Sequence, residues 1–191
     1  MSHGRFWSKI GLKAPSKSDV RHRVAYTFIV FIALMTHGLL LLNDGHYVDG
    51  WPFYTQLVER NWDLLYSSLI RQGLPGHFLI HWLMDYIPGF IVKYKMVAFL
   101  SILLAAILVY KICIESKLLS HWESLFIALI SLTYPAFQTS VVAPLAVNLV
   151  FYLVFILAAY LAICSERMTG VVRYKLHGCS VILFFLSFNI N

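Results

Sequence analysis

Residues 42–51 read Leu42-Asn43-Asp44-Gly45-His46-Tyr47-Val48-Asp49-Gly50-Trp51, so two carboxylates and an imidazole fall close together. An ionised carboxylate can take a proton from an acceptor hydroxyl or hold a divalent cation. Asp49 stands just ahead of a predicted helix, where free N–H groups and the helix dipole favour an anion. The same residues, Asp44 and Asp49, would serve equally as a polar boundary and a helix cap. A second group is His77, His81 and Asp85. Their spacing of four puts them on one helix face. Two imidazoles and a carboxylate suit a divalent metal, although the glutamate of the zinc-hydrolase pattern is missing. The competing reading makes them the wet face of an interfacial helix. Arg71, Lys93 and Lys95 add three cations nearby. They are partners for a lipid phosphate or snorkelling anchors to headgroups. His37 and Asn148 lie inside apolar runs, where a polar group either works or bonds a neighbouring helix.

These residues are set in a chain of unusual composition. Of its 191 residues, 60% are hydrophobic and only 13% charged. A soluble domain carries about 25% charged residues, and a disordered chain is poor in aromatics. The class that remains is an all-α, polytopic membrane protein. The net charge of +6 is concentrated at the start. Arg5, Lys9, Lys13, Lys17, Arg21 and Arg23 precede the first apolar run, as expected for a cytoplasmic flank. Basic and aromatic residues do not interleave there, so nucleic-acid binding is excluded. Cys113, Cys164 and Cys179 form no C-x-x-C pair and read as inert thiols. No Gly-rich phosphate loop or nucleophile elbow is present.

A cytoplasmic basic segment, 1–23, leads into a single transmembrane domain, 24–191. Spans are expected at about 24–42, 96–114, 121–140 and 143–164, with a partial span at 179–191 and an outer loop at 43–95. Ser120-His121-Trp122-Glu123 has the form of a capping box and predicts a helix start. The segment 76–92 is apolar but interrupted by His77, His81, Asp85 and Pro88. If it stays in the outer interface, eleven of the fifteen Lys and Arg residues lie inside; if it crosses, eight do. The positive-inside rule favours the first arrangement. The last run is too short to cross, so the sequence is expected to be a fragment of a longer chain.

Within the outer loop, Trp51, Tyr54, Leu57, Val58, Trp62, Leu65 and Leu69 recur at helical spacing. Gln56, Glu59, Arg60, Asp63 and Ser67 take the opposite face. This pattern predicts one two-faced helix lying in the membrane interface. Pro52 suits its first turn, and Gly73-Leu74-Pro75-Gly76 ends it.

This layout resembles the GT-C class of membrane glycosyltransferases, which includes the protein O-mannosyltransferases and the aminoarabinose transferases. The likeness is carried by Asp49-Gly50-Trp51-Pro52-Phe53-Tyr54, the two-faced helix and Gly73-Leu74-Pro75-Gly76-His77-Phe78. The span that follows and Leu132-Thr133-Tyr134-Pro135-Ala136-Phe137 complete it. It covers about residues 24–164 and is one of layout. It implies transfer of a sugar from a polyprenyl-phosphate carrier to an acceptor at the outer face of a bacterial inner membrane. Asp49 would activate the acceptor as the catalytic base, with Asp44 an auxiliary acid or metal ligand. Arg71, His46 and His77 would bind the substrate. A divalent cation is the one cofactor these residues could hold, with His77, His81 and Asp85 as further metal candidates. Two positions depart from the family: Gly50 replaces its second acid, and the loop 134–144 contains no carboxylate. Either Asp44 substitutes, or the site is not catalytic, or the arrangement differs. Two rival functions are a multi-pass transporter, for which only His37 speaks, and a non-catalytic membrane subunit that docks through the two-faced helix.

Overall fold

The computed structural model describes residues 17–42, 51–134 and 147–188. Among them every regular element is an α-helix: α1 (Lys17–Leu42), α2 (Trp51–Val58), α3 (Trp62–Arg71), α4 (Pro75–Asp85), α5 (Phe90–Ser116), α6 (His121–Leu132), α7 (Val147–Glu166) and α8 (Gly170–Ser187). Three stretches are long and apolar enough to cross a membrane: Asp19–Leu39 in α1, Val92–Ser116 in α5, and Val147–Glu166 in α7. A crossing helix needs about 20 apolar residues.

Helix α5 is the hub and packs against α1, α6 and α7. Small side chains allow this. Ala25, Ile29 and Ala33 on α1 are almost fully buried, as are Ala98, Ile102 and Ala106 on α5 and Ala128 on α6. Alanines recurring along one helix face let backbones approach closely, which is how helices associate where lipid competes with any larger apolar side chain. The opposite faces carry bulk: Phe28, Phe31, Met35 and Leu39 on α1, and Leu100 and Leu104 on α5, are exposed.

A second, smaller core forms where the short helices land on the long ones. Leu57, Leu65, Leu69 and Leu74 bury against Tyr94, Val147 and Phe151, with Trp62 and Phe78 packed around them. The sequence periodicity predicts one helix here, but the chain makes two. Arg60 adopts a left-handed φ of 53°, and Asn61 donates its N–H back to the Gln56 carbonyl at 2.9 Å, closing α2. The Asn61 side chain then accepts from Leu64 N–H at 3.2 Å and caps α3. The periodicity survives because Leu57, Leu65 and Leu69 still reach one core across the break. Val58, expected on that face, is exposed. At 11 residues, α4 is too short to cross a bilayer.

The other expected spans differ in extent. The described part of the one expected at 121–140 is α6, a 12-residue helix. Its capping box forms as the spacing predicts: Ser120 Oγ accepts from Glu123 N–H, and Glu123 Oε2 accepts from Ser120 N–H at 2.7 Å. Ser120→Ala is expected to cost about 1 kcal/mol, read as a lower thermal midpoint. Helix α8 starts at Gly170, well before Cys179. Arg173, Lys175 and His177 interrupt the apolar run but do not oppose helical conformation. Ser180 Oγ donates to the Ala158 carbonyl at 2.8 Å and ties α8 to α7.

His37 sits where α1 meets the end of α6. Its Nε2 donates to the Leu132 carbonyl at 2.8 Å. That carbonyl is one of the last four of its helix and has no partner within it. His37 thus completes a helix end from a neighbouring helix.

Candidate functional site

Helix α4 starts at Pro75, a favoured first position because proline has no N–H to leave unsatisfied. His77 and His81, one turn apart, then share a face, and that face points inward. Their exposures are 3% and 2%. They are therefore not the wet face of an interfacial helix. His77 Nε2 donates to Asn148 Oδ1 of α7 at 2.5 Å, and its ring stacks on Phe151 at 4.8 Å between centroids. With the proton on Nε2, the buried Nδ1 is a bare acceptor, and it has no hydrogen-bond partner among the described residues. His81 Nδ1 lies 2.8 Å from the Tyr94 hydroxyl of α5.

Burial lowers the basicity of both rings. For His77 the hydrogen bond to Asn148 opposes part of that effect. His81 is pushed down to about 3, by burial first and then by His77 and Lys93. Both rings are neutral at ordinary pH.

Asp85 turns away from the two histidines and reaches Arg60 at 3.4 Å, on the surface. The three do not converge on a common point. Among the described residues, no group of three His, Cys, Asp or Glu side chains could hold a metal ion. Arg71 closes α3 and is exposed, with its charge at the favourable end of the helix dipole. Asp44, His46 and Asp49 lie outside the described residues.

The two lysines of α5 separate sharply. Lys93 Nζ donates to the carbonyls of Met84 and Ile87, at 2.6 and 3.1 Å, and so closes the turn after α4. Lys95 is 1% exposed, and its Nζ has no hydrogen-bond partner among the described residues. A buried ammonium group without a partner is unusual, because its desolvation is not repaid. It also lies in the first two turns of a 27-residue helix, where the dipole already presents positive charge. Lys95 and the N-terminal end of α5 thus put positive charge in a buried place. Gln56 Oε1 on α2 is a further buried polar atom without a partner.

No protein family, curated protein or solved structure matches the chain.

The residues brought together here were only partly visible beforehand. The i, i+4 spacing of His77 and His81 marked their common face. It carried no information about which way that face points. Tyr94 and Asn148 lie 13 and 71 residues from their histidine partners, and no local spacing links them. A second polar cluster gave no signal at all. The Tyr110 hydroxyl lies 2.8 Å from His22 Nδ1 and 2.9 Å from His121 Nδ1, joining α1, α5 and α6.

Proposed function

We propose that the protein is a multi-pass membrane glycosyltransferase, or part of one, with the GT-C layout. In this reading α1, α5 and α7 cross the membrane, the basic N-terminus is cytoplasmic, and α2 to α4 lie at the outer face. The donor is a polyprenyl-phosphate sugar. The acceptor oxygen attacks the anomeric carbon, the bond from that carbon to the phosphate oxygen breaks, and the hydroxyl proton passes to Asp49. The carrier leaves as its phosphate and keeps the bonding electrons.

The observation that supports this reading is Lys95, buried and without a partner at the end of α5 that bears the short helices. A leaving phosphate gains charge, and a preorganised cation in a dry site stabilises that charge most effectively. Arg71, exposed at the end of α3, would meet the carrier phosphate from the water side. His37, the residue that favoured a transporter, is engaged by the Leu132 carbonyl.

The test is sugar transfer by the full-length protein in membranes supplied with a polyprenyl-phosphate sugar. Asp49→Asn is expected to lower the rate by about 100-fold or more, as loss of a general base does, while expression and thermal midpoint are unchanged. An unchanged rate would remove Asp49 from the chemistry.

A further inference from the structure

At the other end of α5, a cavity of about 270 Å³ opens between α1, α5 and α7. It is lined by His22, Tyr26, Tyr110, Lys111, Glu115 and Tyr160 among others. We propose that this cavity binds the phosphodiester headgroup of an anionic phospholipid.

The charges are arranged for an anion. Glu115 is the one acid on the wall, and Arg167 holds it in an ion pair. Lys111 forms no ion pair among the described residues, and its Nζ lies 5.7 Å from the centre of the Tyr160 ring. An aromatic face steadies a cation without neutralising it. Counting Arg167, the Lys, Arg and Glu side chains of the site sum to one net positive charge. The uncharged wall is held in a fixed arrangement. Tyr110 is already held between His22 and His121, which fixes its hydroxyl in place. A phenol has a single proton, so one imidazole must donate to it and the other accept. Tyr26 meets Tyr110 edge-on, 5.6 Å between centroids.

Position decides between a lipid and a free anion. Lys111 lies five residues before the end of α5 at Ser116, so the cavity opens at the end of a helix long enough to cross a membrane. In the orientation proposed above, this is the inner surface, where lipid phosphates form a layer and basic pockets between helices collect anionic headgroups. Arg21 and Arg23 lie in the same region of α1 as His22. The cavity suits a headgroup, being smaller than the pockets that enclose drug-sized molecules. Lys111 is also sixteen positions from Lys95 on one helix, roughly 24 Å along its axis. The site is therefore separate from the one assigned to the sugar donor and does not depend on sugar transfer.

The experiment is lipid retention by the full chain, purified from vesicles holding equal phosphatidylglycerol and phosphatidylcholine and read by native mass spectrometry. Wild type is expected to retain about tenfold more phosphatidylglycerol, because the trimethylammonium group of phosphatidylcholine would be repelled by the site's net positive charge. Lys111→Gln should remove the preference, whereas Lys117→Gln, altering an exposed cation outside the cavity, should keep it. Tyr160→Phe keeps the ring under Lys111 and should retain most of it. Equal retention of the two lipids by wild type, or an unchanged preference in Lys111→Gln, would overturn the proposal. Displacement of the lipid by millimolar inorganic phosphate would also overturn it, assigning the cavity to a free anion. If Lys111→Gln does not fold, the phosphate competition and the wild-type ratio still decide.

Discussion

Replacing Lys95 with methionine is expected to raise the unfolding temperature of the protein and to abolish sugar transfer at the same time. The two effects share one cause. A buried ammonium group has lost its hydration and gained no hydrogen bond in return. Replacing buried charge by an apolar chain of similar volume is often stabilising, by about 1–4 kcal/mol. For a chain of this size, each kcal/mol is worth roughly 2–4 °C in thermal midpoint. Methionine has nearly the length of lysine and an adaptable, unbranched stem, so it can fill the same space. The transfer reaction would lose its phosphate partner, with a rate loss of about 100-fold or more, as when a preorganised charge-stabilising group is removed. The pairing of outcomes is the informative part. A residue retained for packing alone would give lower stability and unchanged turnover. Lys95→Arg, which keeps the charge but needs more room, should recover part of the activity at some cost in stability.

Acidification is expected to destabilise the fold through His81. Its folded pKa, about 3, is far below the ordinary histidine value, so the unfolded chain binds the proton first. Above the unfolded value of about 6.5 the ring is neutral in both states and the full stability is present. As pH falls from there towards 3, stability is lost progressively, by on the order of 2 kcal/mol at pH 5. His77, lowered in the same direction, adds to the loss. Thermal unfolding in detergent between pH 7.5 and 4.5 measures this directly. His81→Phe should flatten the pH dependence, because the group that takes the proton is gone. It also removes the imidazole partner of the buried Tyr94 hydroxyl, so the shallower curve should lie lower near neutral pH. A curve as steep as wild type would assign the effect elsewhere.

The helical class was legible from hydropathy alone, because long uncharged runs leave no other way to satisfy the backbone. So was the start of α6, where a capping box is a local rule and Ser120 and Glu123 are three residues apart. The break at Arg60 was not legible. A left-handed residue followed by a capping asparagine keeps the apolar spacing while bending the chain, and periodicity detects only the spacing. The same limit hid the candidate site. Lys93 and Lys95 look alike in sequence, two residues apart on one helix. One is used by the carbonyls that end α4, and the other is enclosed without a partner. That distinction depends on where α4 and α5 meet, and the partners come from distant parts of the chain. His77 with Asn148, and His22 with Tyr110 and His121, have the same origin. Chemistry assembled from five helices leaves no spacing to read.

The contact between His37 and Leu132 also sets an order of assembly. In the membrane arrangement proposed above, a twelve-residue helix whose end meets hydrocarbon would leave carbonyls unanswered, each costing several kcal/mol. Thr133 answers Leu129 from the same segment, but the Leu132 carbonyl is answered by α1. In that arrangement the end of α6 is complete only once α1 lies beside it. It needs a helix made 95 residues earlier to be waiting beside it. Because α1 precedes α6 in the chain, synthesis supplies the receptor before the segment that needs it.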